Sequence, residues 1–121
     1  MCANAMALLV KQRNVSDILV LDLTGRLWIL DLPLRDLVNA ALNEGRHNFV
    51  FNLTDLAYID SSGLGQLISI WTSVRNRGGH LTLLNPGKRI QRLLEITHLN
   101  SVFEICTHET DAVEKARKAS A

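Results

Sequence analysis

One short segment of the chain concentrates the residue types that could do chemistry. An acidic residue, two hydroxyls and two glycines follow one another in Asp60-Ser61-Ser62-Gly63-Leu64-Gly65. This segment, residues 60–65, lies between an apolar run at residues 49–51 and a long stretch of helical periodicity, so we expect it where a strand leads into a helix. A helix N-terminus has unpaired N–H groups and the positive end of the helix dipole. The pattern therefore indicates an anion, either bound there or attached covalently to a hydroxyl.

The segment does not fit the common catalytic motifs. A phosphate-binding P-loop needs Gly-Lys-Ser/Thr, which does not follow here. A nucleophile elbow needs glycine two places before the serine, where this chain has Ile59 and Asp60. The histidines that could act as bases or metal ligands show no pairing with Ser61 and no i, i+4 spacing; they are His47, His80, His98 and His108. The sequence therefore predicts no catalytic site, no metal site and no cofactor.

Two interpretations of Ser61 stay open on spacing alone. In one, Ser61 is the N-cap residue of the helix that follows. In the other, Ser61 is phosphorylated, because an added phosphate would meet free backbone N–H groups there. Gly63 and Gly65 each cost the helix about 1 kcal/mol relative to alanine. We interpret both glycines as leaving the first helical turn bare, so that a partner surface can approach the backbone.

The composition is that of an ordinary globular domain. The chain has 121 residues, of which 47% are hydrophobic and 21% charged. Its formal net charge of +1 argues against a strongly basic surface for nucleic acid or anionic membrane. Cys2 and Cys106 are too few for a disulfide framework. The first residues lack the basic-then-apolar pattern of a secretory signal, and no apolar stretch reaches the roughly 18 residues that a membrane span needs, so we expect neither feature. We expect a cytoplasmic protein with a disordered leader at residues 1–6, a single domain at 7–118 and a tail at 119–121.

Strands and helices alternate along the chain after an opening hairpin. The predicted strands are residues 7–10, 18–23, 48–52, 80–84 and 102–105. The predicted helices run from an Asp31 cap to Gly45, from the 60–65 segment to Gly78-Gly79, over residues 90–97, and from Thr110 or Asp111 onward. This order favours an α/β sheet with right-handed crossovers.

A few further side chains carry expectations. Trp71 lies on the apolar stripe of its helix, and we expect it in the core. Cys106 is expected as a small buried apolar residue. A group of cations forms either a solvated face or a contact for an acidic partner; it comprises Arg75, Arg77, Lys88, Arg89 and Arg92.

The motifs together resemble a known family. The 60–65 segment, preceded by Asn52-Leu53-Thr54-Asp55-Leu56, resembles the signature of the STAS domain of bacterial anti-sigma factor antagonists. Three further stretches are similar to its strand ends and third helix: Leu23-Thr24-Gly25-Arg26-Leu27, Asn76-Arg77-Gly78-Gly79-His80-Leu81, and Ile90-Gln91-Arg92-Leu93-Leu94 followed by Leu99. The resemblance runs in order from about residue 7 to 118. It implies a mixed sheet of four to five strands with about four helices packed on it.

The resemblance also implies a function. Family members bind an anti-sigma factor of the GHKL serine-kinase type and so release a sigma factor for transcription. The kinase phosphorylates the serine directly after the motif aspartate, which is Ser61 here, with Ser62 as the second choice; a phosphatase reverses the switch. We expect the partner-binding residues to be those of the 60–65 segment, together with Trp28 as a candidate anchor: Trp28, Asp60, Ser61, Ser62, Gly63, Leu64 and Gly65. Taken together, the sequence leads us to expect a non-enzymatic protein that binds no nucleic acid and is a monomer or a weak dimer.

One position departs from the family pattern. Many members carry aspartate three residues after the glycine of the second strand, where this chain has Trp28. Trp28 either packs against the sheet or the first helix, or is an exposed aromatic anchor for a partner. The departure keeps a second function open, in which the chain is a non-phosphorylated STAS subunit of a stressosome-like or ABC-transporter complex. Nucleotide binding by the domain itself is a third hypothesis.

Overall fold

The computed structural model describes residues 8–27 and 32–119. The strands are β1 (Leu9–Val15), β2 (Ile18–Leu27), β3 (Asn48–Ile59), β4 (His80–Leu84) and β5 (Glu104–Cys106). The helices are α1 (Leu32–Asn43), α2 (Ser61–Asn76), α3 (Lys88–Ile96) and α4 (Glu109–Ala119), with one short 3₁₀ helix at Leu99–Ser101.

The five strands form one mixed sheet in the order β1-β2-β3-β4-β5. β1 is antiparallel to β2 in a hairpin, and the other neighbouring strands are parallel. The hairpin turn has Ser16 in the left-handed region, with φ of 56°, as tight two-residue hairpin turns require. The predicted mixed α/β sheet is confirmed, and so is its opening hairpin.

Alternate residues of the strands face two separate cores, as the period of two in a strand requires. Leu19, Leu21 and Leu23 of β2 face the larger core, together with buried side chains of α1, α2 and α3. Ile18 and Val20 face a smaller core with Ala112 and Ala116 of α4. Burial on both faces explains why the central strands read as continuous apolar runs.

An ionic network fixes the start of α4 to the hairpin of β1 and β2. The Arg13 guanidinium donates to both carboxylate oxygens of Asp22, at 2.6 and 2.9 Å, and to Glu109 Oε1 at 2.7 Å. Asn52 Nδ2 donates to Asp22 Oδ1 at 2.8 Å. These bonds hold the pKa of Asp22 below its ordinary value, and the hydrogen bonds from Arg13 contribute more than the one from Asn52.

Several predicted boundaries are wrong. β3 runs on to Ile59 instead of ending at Asn52, because its second half pairs with the end of β2 across two register irregularities. β1 extends to Val15 despite its polar residues, because it is an edge strand with a complete antiparallel partner. β5 begins at Glu104 and not at residue 102, and α4 begins at Glu109.

The expectations for three single residues have different outcomes. Cys106 is buried, as predicted. Trp71 is half-buried and packs against the margin of the larger core, where its ring meets Phe103 edge-to-face at 6.1 Å between centroids. The predicted cap Asp31 lies outside the described residues.

Candidate functional site

The junction between β3 and α2 is capped by Asp60. Its backbone is extended, with φ of −103° and ψ of −176°, and its Oδ1 accepts a hydrogen bond from the Gly63 N–H at 2.7 Å. Leu64 N–H makes the first main-chain helical bond, to the Asp60 carbonyl at 2.9 Å. The interpretation of Ser61 as the N-cap is therefore wrong, because the preceding carboxylate takes that position.

Ser61 is the first residue of α2 and is exposed to solvent, while Ser62 is half-buried. Within the described part of the chain, the N–H groups of these two serines have no hydrogen-bond acceptor. A helix start leaves such donors unpaired in general, and they carry part of the positive end of the dipole. The Ser61 hydroxyl is thus accessible and lies beside donors that suit an anion.

Gly63 has a structural reason that spacing could not show. A Cβ built on Gly63 would lie 2.2 Å from the Leu27 carbonyl oxygen and 2.8 Å from its carbon. Gly63 is buried. Because glycine has no side chain, α2 can pack directly against the end of β2 at this residue. The expectation that Gly63 offers bare backbone to a partner is wrong, since Leu27 of the same chain makes the close approach. Leu64, 6% exposed, belongs to the core as well.

Gly65 differs from Gly63 in its burial and its surroundings. It is exposed, and a Cβ there would meet no described atom within 4 Å beyond its own turn of the helix. Neither glycine has a φ in the left-handed region. Gly65 lies one turn after Ser61, and Ile68, 38% exposed, follows on the same side of the helix. We call Ser61, Gly65 and Ile68 the exposed stripe of α2.

An apolar cleft of about 220 Å³ lies beside the junction. Ile59, two residues before Ser61, forms one wall, and side chains of α3 form the rest: Arg89, Ile90, Arg92, Leu93 and Ile96. Ile96 is 64% exposed, although it is a large apolar side chain. We call this feature the α3 cleft; sequence reasoning missed it. Ile96 lies off the apolar stripe of its helix, and that offset was the only signal in the sequence.

The structure divides the basic cluster that the sequence suggested. Arg89 and Arg92 border the α3 cleft, whereas Arg75 and Arg77 lie at the far end of α2. Arg77 donates to Asn43 Oδ1 at 3.1 Å and so joins α2 to α1. Only part of the predicted cluster therefore lies near the junction.

On the end of β2, the Arg26 guanidinium stacks over the ring of Tyr58, 4.4 Å from its centroid. The two residues are register partners on β2 and β3. Trp28, predicted as a partner-binding residue, follows this pair but lies outside the described residues.

The described ranges contain neither a cluster of metal-binding side chains nor a membrane-spanning helix. In residues 8–27 and 32–119 there is no group of three or more His, Cys, Asp or Glu side chains that could hold a metal ion. No helix of that part of the chain is both long and apolar enough to cross a membrane.

Comparison with known proteins gives the class of the domain. The family model of the STAS domain matches residues 9–112. The chain therefore belongs to the STAS domain family, with the sheet of five strands and four helices described above.

Individual relatives are anti-sigma factor antagonists. The anti-sigma-B factor antagonist of Bacillus subtilis is 31% identical over 105 residues, which cover 87% of this chain and 94% of that protein. A Thermotoga maritima crystal structure, described provisionally as an anti-sigma factor antagonist, has a TM-score of 0.82 at 28% identity and covers 89% of this chain and 94% of its own. SpoIIAA of Bacillus in its phosphorylated form, at 21% identity, has a TM-score of 0.69 over 90% of this chain and 98% of its own. At that identity, SpoIIAA supports the fold alone.

Proposed function

We propose that this chain is an anti-sigma factor antagonist, which binds an anti-sigma factor and thereby releases a sigma factor. Phosphorylation of Ser61 by that anti-sigma factor, acting as a GHKL-type serine kinase, switches the antagonist off, and a phosphatase restores it. The observation that carries the proposal is the accessible Ser61 hydroxyl on the first residue of α2, directly after the capping Asp60. The chain acts in the cytoplasm by binding and not by catalysis.

The docking surface combines the exposed stripe of α2 with the α3 cleft. Gly65 lets a partner backbone come close to α2, and nothing in the described fold requires glycine there. Ile68 and Ile96 offer exposed apolar side chains that a partner can bury. Burial of apolar surface stabilises a complex by about 25 cal/mol for each Å² covered. Arg89 and Arg92 add positive charge at the rim, which favours encounter with an acidic partner surface.

Phosphorylation would act on this surface by charge and bulk. A phosphate adds about −1.5 to −2 charges at pH 7, directly beside the Asp60 carboxylate. The helix N-terminus tolerates that charge in the free protein. In the complex, the phosphate would hold the partner away from the first turn of α2. We expect affinity to fall by about 2–3 kcal/mol, or about 30- to 150-fold.

The test uses the anti-sigma factor kinase of the same organism, the purified chain and ATP. Intact-mass analysis and fragmentation should place a single phosphate on Ser61. Ser61→Ala should abolish its incorporation, and the matched control Ser62→Ala should keep it. Ser61→Asp should bind the kinase at least about 30-fold more weakly than the unmodified chain.

Two outcomes would overturn parts of the proposal. Equal affinity of the Ser61→Asp and unmodified proteins would falsify the switch. Absence of phosphate on Ser61, together with co-purification of an ABC ATPase or of a large STAS assembly, would favour the non-phosphorylated subunit instead.

A further inference from the structure

A cavity of about 240 Å³ opens near the C-terminal end of α2, far from Ser61. Its walls come from α2, the start of β4 and the start of β5. The side chains that matter are Trp71, Arg75, His80, Leu81, Val102 and Glu104. Arg75 lies in the last turn of the 16-residue helix, about 20 Å from Ser61 along the axis. The cavity is therefore separate from the docking surface and independent of the proposed function.

The cavity exists because β5 is shorter than β4. β5 begins at Glu104, whose register partner is Thr82, so His80 and Leu81 have no partner residue on β5. Before Glu104 the chain turns away through the 3₁₀ helix, and Val102 is left 43% exposed at the rim. The gap beside the first residues of β4 is thus open to a ligand.

Two side chains of opposite charge, Arg75 and Glu104, line the cavity and are not paired with each other. The Arg75 guanidinium lies 5.1 Å from the centroid of the Trp71 ring. In the part of the chain that the structure describes, Arg75 makes no ion pair with a carboxylate. Glu104 uses one oxygen, Oε2, to accept from Lys115 Nζ at 3.0 Å. Its other oxygen, Oε1, lies 3.8 Å from His80 Nε2, which is too far for a hydrogen bond.

His80 Nε2 provides an independent observation. This nitrogen is shielded from solvent and has no hydrogen-bond partner among the described residues. Buried polar atoms are nearly always paired with protein or ordered water, and each exception calls for an explanation. Because the nitrogen is shielded, a polar group of a ligand can complete the hydrogen bonding of His80 only when the imidazole turns slightly toward the cavity.

We propose that this cavity binds a small apolar α-amino acid. The carboxylate of the ligand pairs with Arg75, its ammonium group donates to Glu104 Oε1 and lies near His80 Nε2, and its side chain packs on Trp71 and Val102. At about 30 Å³ for each water, the cavity has the volume of about eight waters. That volume suits an amino acid such as valine or leucine.

Nuclear magnetic resonance of the ¹⁵N-labelled full chain tests the proposal with L-leucine as the probe. We expect saturable shifts of the Trp71 indole N–H and of the Leu81 and Val102 amides at millimolar leucine. Three analogues should bind at least about tenfold more weakly, because each lacks one recognised group: L-leucinamide, 4-methylpentanoate and glycine. N-acetyl-L-leucine, which imitates a peptide C-terminus, should also bind weakly, because it has no ammonium group.

Variants assign the contacts. Arg75→Gln and Glu104→Gln should each weaken leucine binding at least about tenfold, whereas the matched controls Arg77→Gln and Glu95→Gln should leave it unchanged. Glu104→Gln also breaks the bond to Lys115, so Lys115→Gln separates that effect and should retain binding. Preserved dispersion of the spectra shows that each variant is folded.

Three results would overturn the proposal: no saturable shift with leucine, equal shifts with leucinamide, or unchanged binding by Arg75→Gln. Tighter binding of N-acetyl-L-leucine than of leucine would also contradict it, since the ligand would then be a peptide terminus. No kinase takes part in these measurements, so their failure leaves the proposed function of Ser61 untouched.

Discussion

The inner and outer sides of the first turn of α2 each have one polar residue and one glycine, but these residues have different roles on the two sides. On the inner side, Asp60 caps the helix, and Gly63 leaves room for the Leu27 carbonyl. On the outer side, Ser61 and Gly65 are exposed, and no described atom would contact a side chain at residue 65. One short motif therefore serves two purposes: its inner residues hold the junction together, and its outer residues are available to a partner.

The largest effect should come from filling the inner side. In Gly63→Ala the new Cβ would lie 2.2 Å from a backbone oxygen, so α2 has to move off the end of β2. Overpacking of this kind costs about 3 kcal/mol. Urea unfolding should show the loss. Gly65→Ala is the matched control, with the same added methyl group two residues away. Equal stability of the two variants would contradict the different roles of the two glycines.

Acid should destabilise a different part of the molecule and leave the first turn of α2 in place. The pKa of Asp22 is lowered, first by its bonds to Arg13 and also by Asn52, so folding favours its ionised form. Stability from this group is fully present above the unfolded pKa, near 4, and is lost as pH falls toward the lower folded pKa. The loss should be about 2 kcal/mol.

The measurement is urea unfolding between about pH 6 and pH 3, with hydrogen exchange to locate the change at the start of α4. In Asp22→Asn the slope of stability against pH over this range should flatten, whereas Asp36→Asn, on the exposed side of α1, should keep it. Unfolding that begins at the β3–α2 junction instead would show that acid acts through another carboxylate.

Removal of the cap should give a smaller loss. Asp60→Ala deletes the acceptor of the Gly63 N–H, and losing an N-cap costs about 1 kcal/mol. Asp60→Asn should recover most of that stability, because asparagine caps nearly as well. Urea unfolding of the two variants checks this, and equal loss in both would mean that the charge of Asp60, and not its hydrogen bond, supports the junction.

The sequence predicted the element order and the strand-to-helix junction, because apolar period and turn residues are local signals. It missed the second half of β3, where polar Asn52, Thr54 and Asp55 interrupt the apolar run while the backbone continues to pair with β2. It could not distinguish Gly63 from Gly65, since the distinction depends on Leu27, far away in the chain. The α3 cleft likewise needs Ile59 and α3 side by side in space.

The smallest effect on stability is the most informative for the outer side. Gly65→Ala adds a methyl group that meets no described atom, in a helix where alanine is favoured over glycine by up to about 1 kcal/mol. The variant should therefore be more stable than the parent chain by about 0.5–1 kcal/mol. If a partner approaches the backbone at Gly65, the same variant should bind that partner more weakly, and a bulkier side chain in Gly65→Leu should weaken binding further.

A gain in stability together with a loss of affinity is expected if Gly65 is glycine for the sake of an interface. A glycine that the fold itself requires would lose stability on substitution. Asn39→Ala, on the exposed side of α1, is the control, since it improves helix propensity away from the docking surface and should leave affinity unchanged. Urea unfolding and titration calorimetry with the anti-sigma factor measure the two quantities. Unchanged affinity in Gly65→Leu would remove the first turn of α2 from the docking surface and leave the α3 cleft to carry recognition alone.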